Sequence, residues 1–159
     1  MKLMGKKCLI TFGILGIIIV LLFIPLEREE NLDSSSVTIK AGEYYICYAS
    51  TRRSTMLQAS DVSIIGSFTA SGGTGNDIMV LIFEDDIQLQ NYLDGKSYIA
   101  KYESGKVTSG NFNKALEEGQ CIILFDNSFS LISSKMVQID LTMNYKMNTL
   151  FNFLGSINS

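Results

Sequence analysis

The sequence predicts an all-β domain, an antiparallel β-sandwich of about eight strands, preceded by one transmembrane helix. Three observations carry this. From Val37 onward apolar residues recur at every second position, the period of a strand with one buried face. The runs are short and separated by Gly, Ser, Asn and Asp clusters, which read as turns. Before them, Cys8 to Leu26 passes nineteen residues without a charge.

Taken in order, residues 1–7 form a basic tail with Lys2, Lys6 and Lys7 and no acid. Residues 8–26 read as the membrane helix, since nineteen residues at about 1.5 Å each roughly span the ~30 Å hydrocarbon core. Glu27, Glu29 and Glu30 crowd its far side around Arg28, so the positive-inside rule leaves the N-terminus in the cytoplasm and the rest outside. A cleavable signal peptide shares the basic start. However, the apolar run exceeds the usual ~7–15 residues, and no small-x-small site follows at "FIPLERE". Lys6 and Lys7 stand where a lipoprotein would carry small residues before Cys8. A pilin-like helix would run on past the membrane. Here Pro25 and the polar stretch "EREENLDSSS" end the pattern, and residues 27–36 read as a linker.

Residues 37–145 form the expected sandwich. "VTIKAGEYYICYAS" is one or two strands broken at Ala41-Gly42, "DVSIIGSFTAS" another, and "DIMVLIFE" a fully apolar one. "SYIAKYES" and "GKVTSGNF" make two more, and "QCIILF" and "KMVQIDLTM" the last pair, joined as a hairpin. In the final strand Val137, Ile139, Leu141 and Met143 share one face, with Gln138, Asp140 and Thr142 on the other. "DDIQLQNYL" is the one stretch patterned for a short helix. Residues 146–159 form a C-terminal tail too short and polar to span a membrane.

Composition excludes several functions. The chain has no histidine, so neither a Ser-His-Asp nor a Cys-His nucleophile can be assembled within it. Beyond the basic tail, ten basic residues face sixteen acidic ones, a net of −6. Such a domain repels phosphate backbones and anionic membrane surfaces, which argues against a nucleic-acid partner.

The remaining candidates are weaker. "SGGTGNDI", residues 71–78, lacks the Lys and following helix of a phosphate loop and reads as a turn needing positive φ. Asp77, Glu84, Asp85, Asp86 and Asp126 supply oxygens for calcium if loops 72–77 and 84–86 approach each other, although no calcium-loop spacing is present. A solvated acidic face is the plainer reading. Cys47 and Cys121 fall in expected strands, where a disulfide and two buried free thiols both remain open. Finally, "ILFDNSFSLISSKMVQIDL" holds Asp126, Asn127, Ser128, Ser130 and Lys135 between two apolar runs. No Gly-x-Ser-x-Gly elbow surrounds the serines, and Lys135, as the base of a Ser–Lys dyad, is expected to lie in solvent. Asp126 and Asn127 are turn formers that hydrogen-bond nearby backbone, with Phe129 folding back over the sandwich end. The stretch reads as a structural turn.

That same stretch carries a resemblance. Gly119 to Met143 resembles the last two strands of the GOLD (Golgi dynamics) domain, the lumenal β-sandwich of secretory-pathway cargo receptors. The shared pattern is a Gly, an aromatic-rich strand, a Phe-x-Asn-x-Phe/Tyr-Ser turn, then a Lys and an alternating strand. Gly119, Phe125, Asn127, Phe129, Ser130 and Lys135 fall in step with it. The cargo receptors carry a C-terminal membrane helix, which this chain lacks, and Leu124 stands where they have a disulfide cysteine, so their bridge does not carry over onto Cys121. The resemblance therefore implies the fold and a binding role, in a simpler form suited to a bacterial or archaeal envelope. The expectation is a module anchored in the cell membrane through residues 8–26. It would recognise another envelope protein or a small ligand, with no catalytic, cofactor or metal site. The alternatives are a His-independent hydrolase using carboxylates and a structural or adhesin subunit.

Overall fold

The computed structural model describes residues 25–51, 59–73, 75–117 and 120–148. Eight strands fold in the order β1 (Pro25–Ile39), β2 (Tyr44–Ser50), β3 (Ser60–Ser71), β4 (Ile78–Phe83), β5 (Tyr102–Val107), β6 (Ser109–Ala115), β7 (Gln120–Asp126) and β8 (Lys135–Asn148), with helix α1 (Asp86–Leu93) between β4 and β5. They form two antiparallel four-stranded sheets, ordered β1-β8-β3-β6 and β2-β7-β4-β5.

These orders follow from a single pairing rule. β1 pairs β8, β2 pairs β7, β3 pairs β6 and β4 pairs β5, so the chain is one long hairpin rolled into two sheets. That is the double Greek key of a jelly roll. The register puts four sheet-to-sheet connections at one end of the sandwich. Ile39 lies opposite Lys135, Ser71 opposite Met136, Tyr44 opposite Asp126 and Ile78 opposite Val107. The β1–β2, β3–β4, β5–β6 and β7–β8 corners therefore meet there.

The main core lies between the sheets. Ile64, Phe68, Phe112, Val137, Ile139 and Leu141 from one sheet meet Val80, Ile82, Ile123 and Phe125 from the other. A second cluster covers the outside of the β2-β7-β4-β5 sheet, where α1 and the following chain lay Leu89, Tyr92 and Tyr98 over Leu81, Phe83, Ile122 and Leu124. β4 and β7 are thus buried on both faces, which is why they read as continuous apolar runs rather than alternating ones. Asp85 starts α1 as its N-cap, its Oδ1 accepting from the Gln88 N–H at 2.9 Å.

Several sequence expectations change. The polar stretch 27–36, read as a linker, is part of β1, with Glu27 opposite Lys146 and Ser34 opposite Asp140. It is an edge strand, so its charges stay in water and hinder unwanted pairing instead of marking a loop. Pro25 and Leu26, assigned to the membrane helix, open the same strand. The rest of that helix, residues 8–24, lies outside the described residues, as do residues 149–159 of the tail. No helix among the described residues is long and apolar enough to cross a membrane. β7 and β8 are not a hairpin, since they belong to different sheets. In "SYIAKYES" the strand begins only at Tyr102 and runs through Gly105 to Val107, with a bulge against β4 between Met79 and Leu81. The chain before it is held to β4 by the Lys101 N–H donating to the Ile82 carbonyl at 2.7 Å.

Candidate functional site

The stretch 126–135 is the β7–β8 corner, and Asp126, Asn127, Phe129 and Lys135 tie it to other parts of the fold. Asn127 is fully buried. Its backbone N–H donates to the Glu43 carbonyl at 3.0 Å, and its own carbonyl accepts from the Gly42 N–H at 3.2 Å and the Ser130 N–H at 3.1 Å. The side-chain Nδ2 donates to the carbonyls of Ile39 (3.2 Å), Lys40 (3.0 Å) and Ser133 (2.9 Å). One amide therefore stitches the β1–β2 corner to the β7–β8 corner. Its Oδ1 has no hydrogen-bond partner among the described residues.

The neighbouring residues reach the other corners. Phe129 lies under the Lys106 ammonium, 4.1 Å from the ring centroid, which ties in the β5–β6 corner. Lys135, expected in solvent, is only 1% exposed and meets Asp77 Oδ1 of the β3–β4 corner at 3.5 Å. It faces inward because β8 alternates and its first position falls on the core side. A Cβ at Gly73, where φ is +71°, would sit 2.4 Å from Ser133 Cβ, so the third corner also packs closely on this one. Asp126 works on the opposite side. Its Oδ2 accepts from the Tyr92 hydroxyl of α1 at 2.5 Å and its Oδ1 from the Ser128 N–H at 2.6 Å. Burial, then the Asp126 carboxylate, push the Tyr92 hydroxyl well above its ordinary pKa, so it remains a donor.

The serines have no nucleophile geometry. Ser130 Oγ donates to the Ser133 carbonyl at 3.0 Å and accepts its N–H at 3.2 Å. Ser128 is exposed, and Lys135 is turned away toward Asp77. Phe125 anchors the strand end in the core, edge-on to Phe68 at 6.2 Å between centroids. Gly119 lies outside the described residues. Leu131 and Ile132 stand at the tip, 92% and 89% exposed.

The acidic candidates separate. Asp77 precedes β4 and Glu84, Asp85 and Asp86 follow it, so a six-residue strand of about 17 Å holds the two loops apart. The calcium arrangement that needed them together is not formed, and no group of three or more candidate ligands gathers among the described residues. Glu84 Oε2 takes the Lys101 ammonium at 3.1 Å while its Oε1 accepts from the Glu117 N–H at 2.7 Å, and Lys101 also meets Glu117 Oε1 at 2.9 Å. Hydrogen bonds to Glu117 and then Glu84 raise the Lys101 pKa. Glu84, Asp85 and Asp86 do line an open depression of about 270 Å³ with Tyr48 and Gln120.

Cys47 and Cys121 are both free. Cys47 lies opposite Ile123 and Cys121 opposite Ala49, which makes the thiols a diagonal pair on one face. Diagonal neighbours sit about 7–8 Å apart, beyond the usual reach of a disulfide. Burial pushes the Cys121 thiol up to about 12 and also raises that of Cys47.

Fold and site together define the class: an eight-stranded jelly-roll sandwich whose distinctive sequence motif joins four corners at one end. No family model and no curated protein matches the chain. Among solved structures, a chain of tomato aspermy virus matches at 6% identity, covering 79% of this chain and 77% of that one, with a TM-score of 0.26. A likeness that slight carries no argument about function. Sequence reasoning missed the Asn127 bonds across the corners and the burial of Lys135, because both depend on which sheet each strand joins. The alternation of β8 was the available signal for Lys135.

Proposed function

We propose that the chain is a non-catalytic, GOLD-like binding module, anchored in the cell membrane with its sandwich outside. The observation that carries this reading is what the polar groups of the motif do. Asn127 and Lys135 commit their polar groups to joining corners, Asp126 to α1 and its own turn, and Ser130 to the turn itself, which leaves the surrounding surface as the working part. The two four-stranded sheets suit the resemblance carried by Phe125, Asn127 and Phe129. With β1 starting at Pro25, the apolar run still has residues 8–24, at the short end of the ~17–25 residues that span a bilayer. β1 then runs fifteen residues, about 45 Å, before reaching the four corners, so in an anchored protein the corners face away from the membrane.

A specific observation favours a structural or adhesin role as the second reading. β2, at the edge of its sheet, has seven residues without a charge or proline, and Tyr44 and Tyr48 on it are exposed. An unguarded edge of this kind is a template for pairing with another strand. Crosslinking in intact cells, followed by identification of what is captured, tests the binding reading. Reproducible capture of one envelope component supports it, whereas capture of further copies of this chain alone supports the structural role.

A further inference from the structure

Leu131 and Ile132 are consecutive, and at 92% and 89% they are the most exposed large apolar side chains among the described residues. Their backbone is held in place. Ser130 Oγ accepts from the Ser133 N–H at 3.2 Å and donates to the Ser133 carbonyl at 3.0 Å, which joins the residues on either side of the pair. The buried Asn127 fixes the same turn, its carbonyl accepting from the Ser130 N–H and its Nδ2 donating to the Ser133 carbonyl. Single exposed apolar residues need no explanation, whereas an adjacent pair held outward on a braced turn marks a contact.

The charge at this end differs from that of the rest of the domain. The corner segments, residues 40–43, 72–77, 106–109 and 126–135, hold Lys40, Lys106 and Lys135 against Glu43, Asp77 and Asp126. Three cations and three acids give a net of zero, so the whole excess of −6 beyond the basic tail lies elsewhere. Asp77 faces the buried Lys135, and Asp126 is turned to Tyr92 and the Ser128 N–H. Lys106 lies over Phe129 and meets no carboxylate among the described residues, and Lys40 is 75% exposed, 3.7 Å from Glu43. The repulsion from anionic membrane surfaces that the net charge implies therefore does not operate here.

This arrangement suits a lipid surface better than a protein. A stable protein interface buries about 800 Å² on each partner around an apolar, aromatic-rich centre, and Ser and Lys are depleted there. The tip offers two aliphatic side chains, with the exposed Ser128 and Ser134 beside them and Lys40 and Lys106 on the neighbouring corners. A bilayer edge asks for such a set: apolar side chains for the acyl region, hydroxyls at headgroup level and lysines for the phosphates. Tyr44, half exposed where β2 begins at the same end, is a residue type favoured at that level.

We propose that the Leu131-Ile132 tip inserts into a lipid surface, with Lys40 and Lys106 against its phosphates. The proposal rests on the reading of the protein as an anchored binding module and names its partner. Because β1 holds this end about 45 Å from the anchor, the lipid belongs to a second membrane rather than to the anchor's own.

The chain has no tryptophan, so Ile132→Trp installs a single reporter at the tip. The full-length chain is held in nanodiscs, and vesicles of phosphatidylcholine with about a third phosphatidylglycerol, carrying brominated acyl chains, are added. The tryptophan emission is expected to shift to the blue and to be quenched by these vesicles. Emission that stays where a tryptophan in water emits would overturn the insertion. In co-flotation with unbrominated vesicles, Leu131→Ser combined with Ile132→Ser is expected to weaken binding about tenfold or more, at an unchanged melting temperature because both positions are exposed. Undiminished flotation of that double variant would move the contact off the tip. Absence of vesicle binding, with intact-cell crosslinking still capturing one envelope protein, would overturn the lipid partner and leave the binding reading standing. Failure of vesicle binding and of crosslinking together would remove both.

Discussion

Replacing Asn127 with alanine removes the two amide hydrogens shared among the carbonyls of Ile39, Lys40 and Ser133. Each buried hydrogen bond contributes about 1 kcal/mol net, and stranding its acceptor costs a further ~1–3 kcal/mol. Against this, the substitution also removes Oδ1, which is buried without a partner among the described residues and so already carries a desolvation cost. The balance is a loss of about 2–3 kcal/mol, a sizeable part of the ~5–15 kcal/mol that holds a domain together. Urea denaturation of the full-length chain in detergent, followed by intrinsic tyrosine fluorescence, measures it. Asn127→Asp separates hydrogen bonding from packing, because it keeps the shape but turns a carboxylate toward three carbonyl oxygens. It should be worse than alanine at pH 7 and improve as pH falls. The introduced carboxyl has a folded pKa above its unfolded one, so its protonated, donating form is favoured in the fold at low pH. Ser128→Ala, at an exposed position whose backbone makes the local contact, should change little. A loss below about 1 kcal/mol for Asn127→Ala, or equal effects of Ala and Asp at every pH, would refute the stitching role.

Three further outcomes follow from the packing and charges. Gly66→Ala should destabilise by about 1–3 kcal/mol in the same assay, since its Cβ would lie 2.4 Å from Phe112 and 2.7 Å from Leu141 on the two flanking strands; a neutral result would mean that these neighbouring side chains are less closely packed over Gly66. Lys135→Met should be neutral or stabilising, because it removes a buried ammonium whose one close carboxylate among the described residues is 3.5 Å away, whereas Asp77→Ala should destabilise by taking that carboxylate from it; the opposite order would contradict the buried pair. The Lys101 hydrogen bond holds the Glu117 carboxyl below its ordinary range, so its stabilisation is complete above the unfolded pKa and lost as pH falls through the folded one. Melting temperatures of the native chain and Glu117→Gln should therefore differ slightly at neutral pH and converge in acid, and a gap that widened in acid would reverse the sign.

Much of the sandwich was legible because alternation records which strands have one wet face. The fully apolar β4 and β7 announced their two-sided burial, although the helix responsible was visible only as a short polar pattern around Leu89. What the pattern does not contain is sheet membership. The turn chemistry of Asp126-Asn127 is the same in a hairpin and in a sheet-to-sheet corner, so the β7–β8 connection read as a hairpin and Lys135 as solvated. β1 was misread for a related reason. An edge strand whose residues 27–36 mostly face water, with Leu32 packed against the core, shows no apolar period, and its charges resemble those of a linker.

The binding reading depends on the sandwich lying outside the membrane, and the exposed corner tip offers a direct probe. In a chain with Cys8, Cys47 and Cys121 changed to alanine, Leu131→Cys presents one thiol at a position that is 92% exposed. A membrane-impermeant maleimide applied to intact cells, or to spheroplasts where an outer membrane intervenes, should label it as fully as it does after lysis, while a cysteine placed at Lys2 should label only after lysis. Labelling of Leu131→Cys solely after lysis would put the sandwich in the cytoplasm and contradict the anchored, outward-facing module.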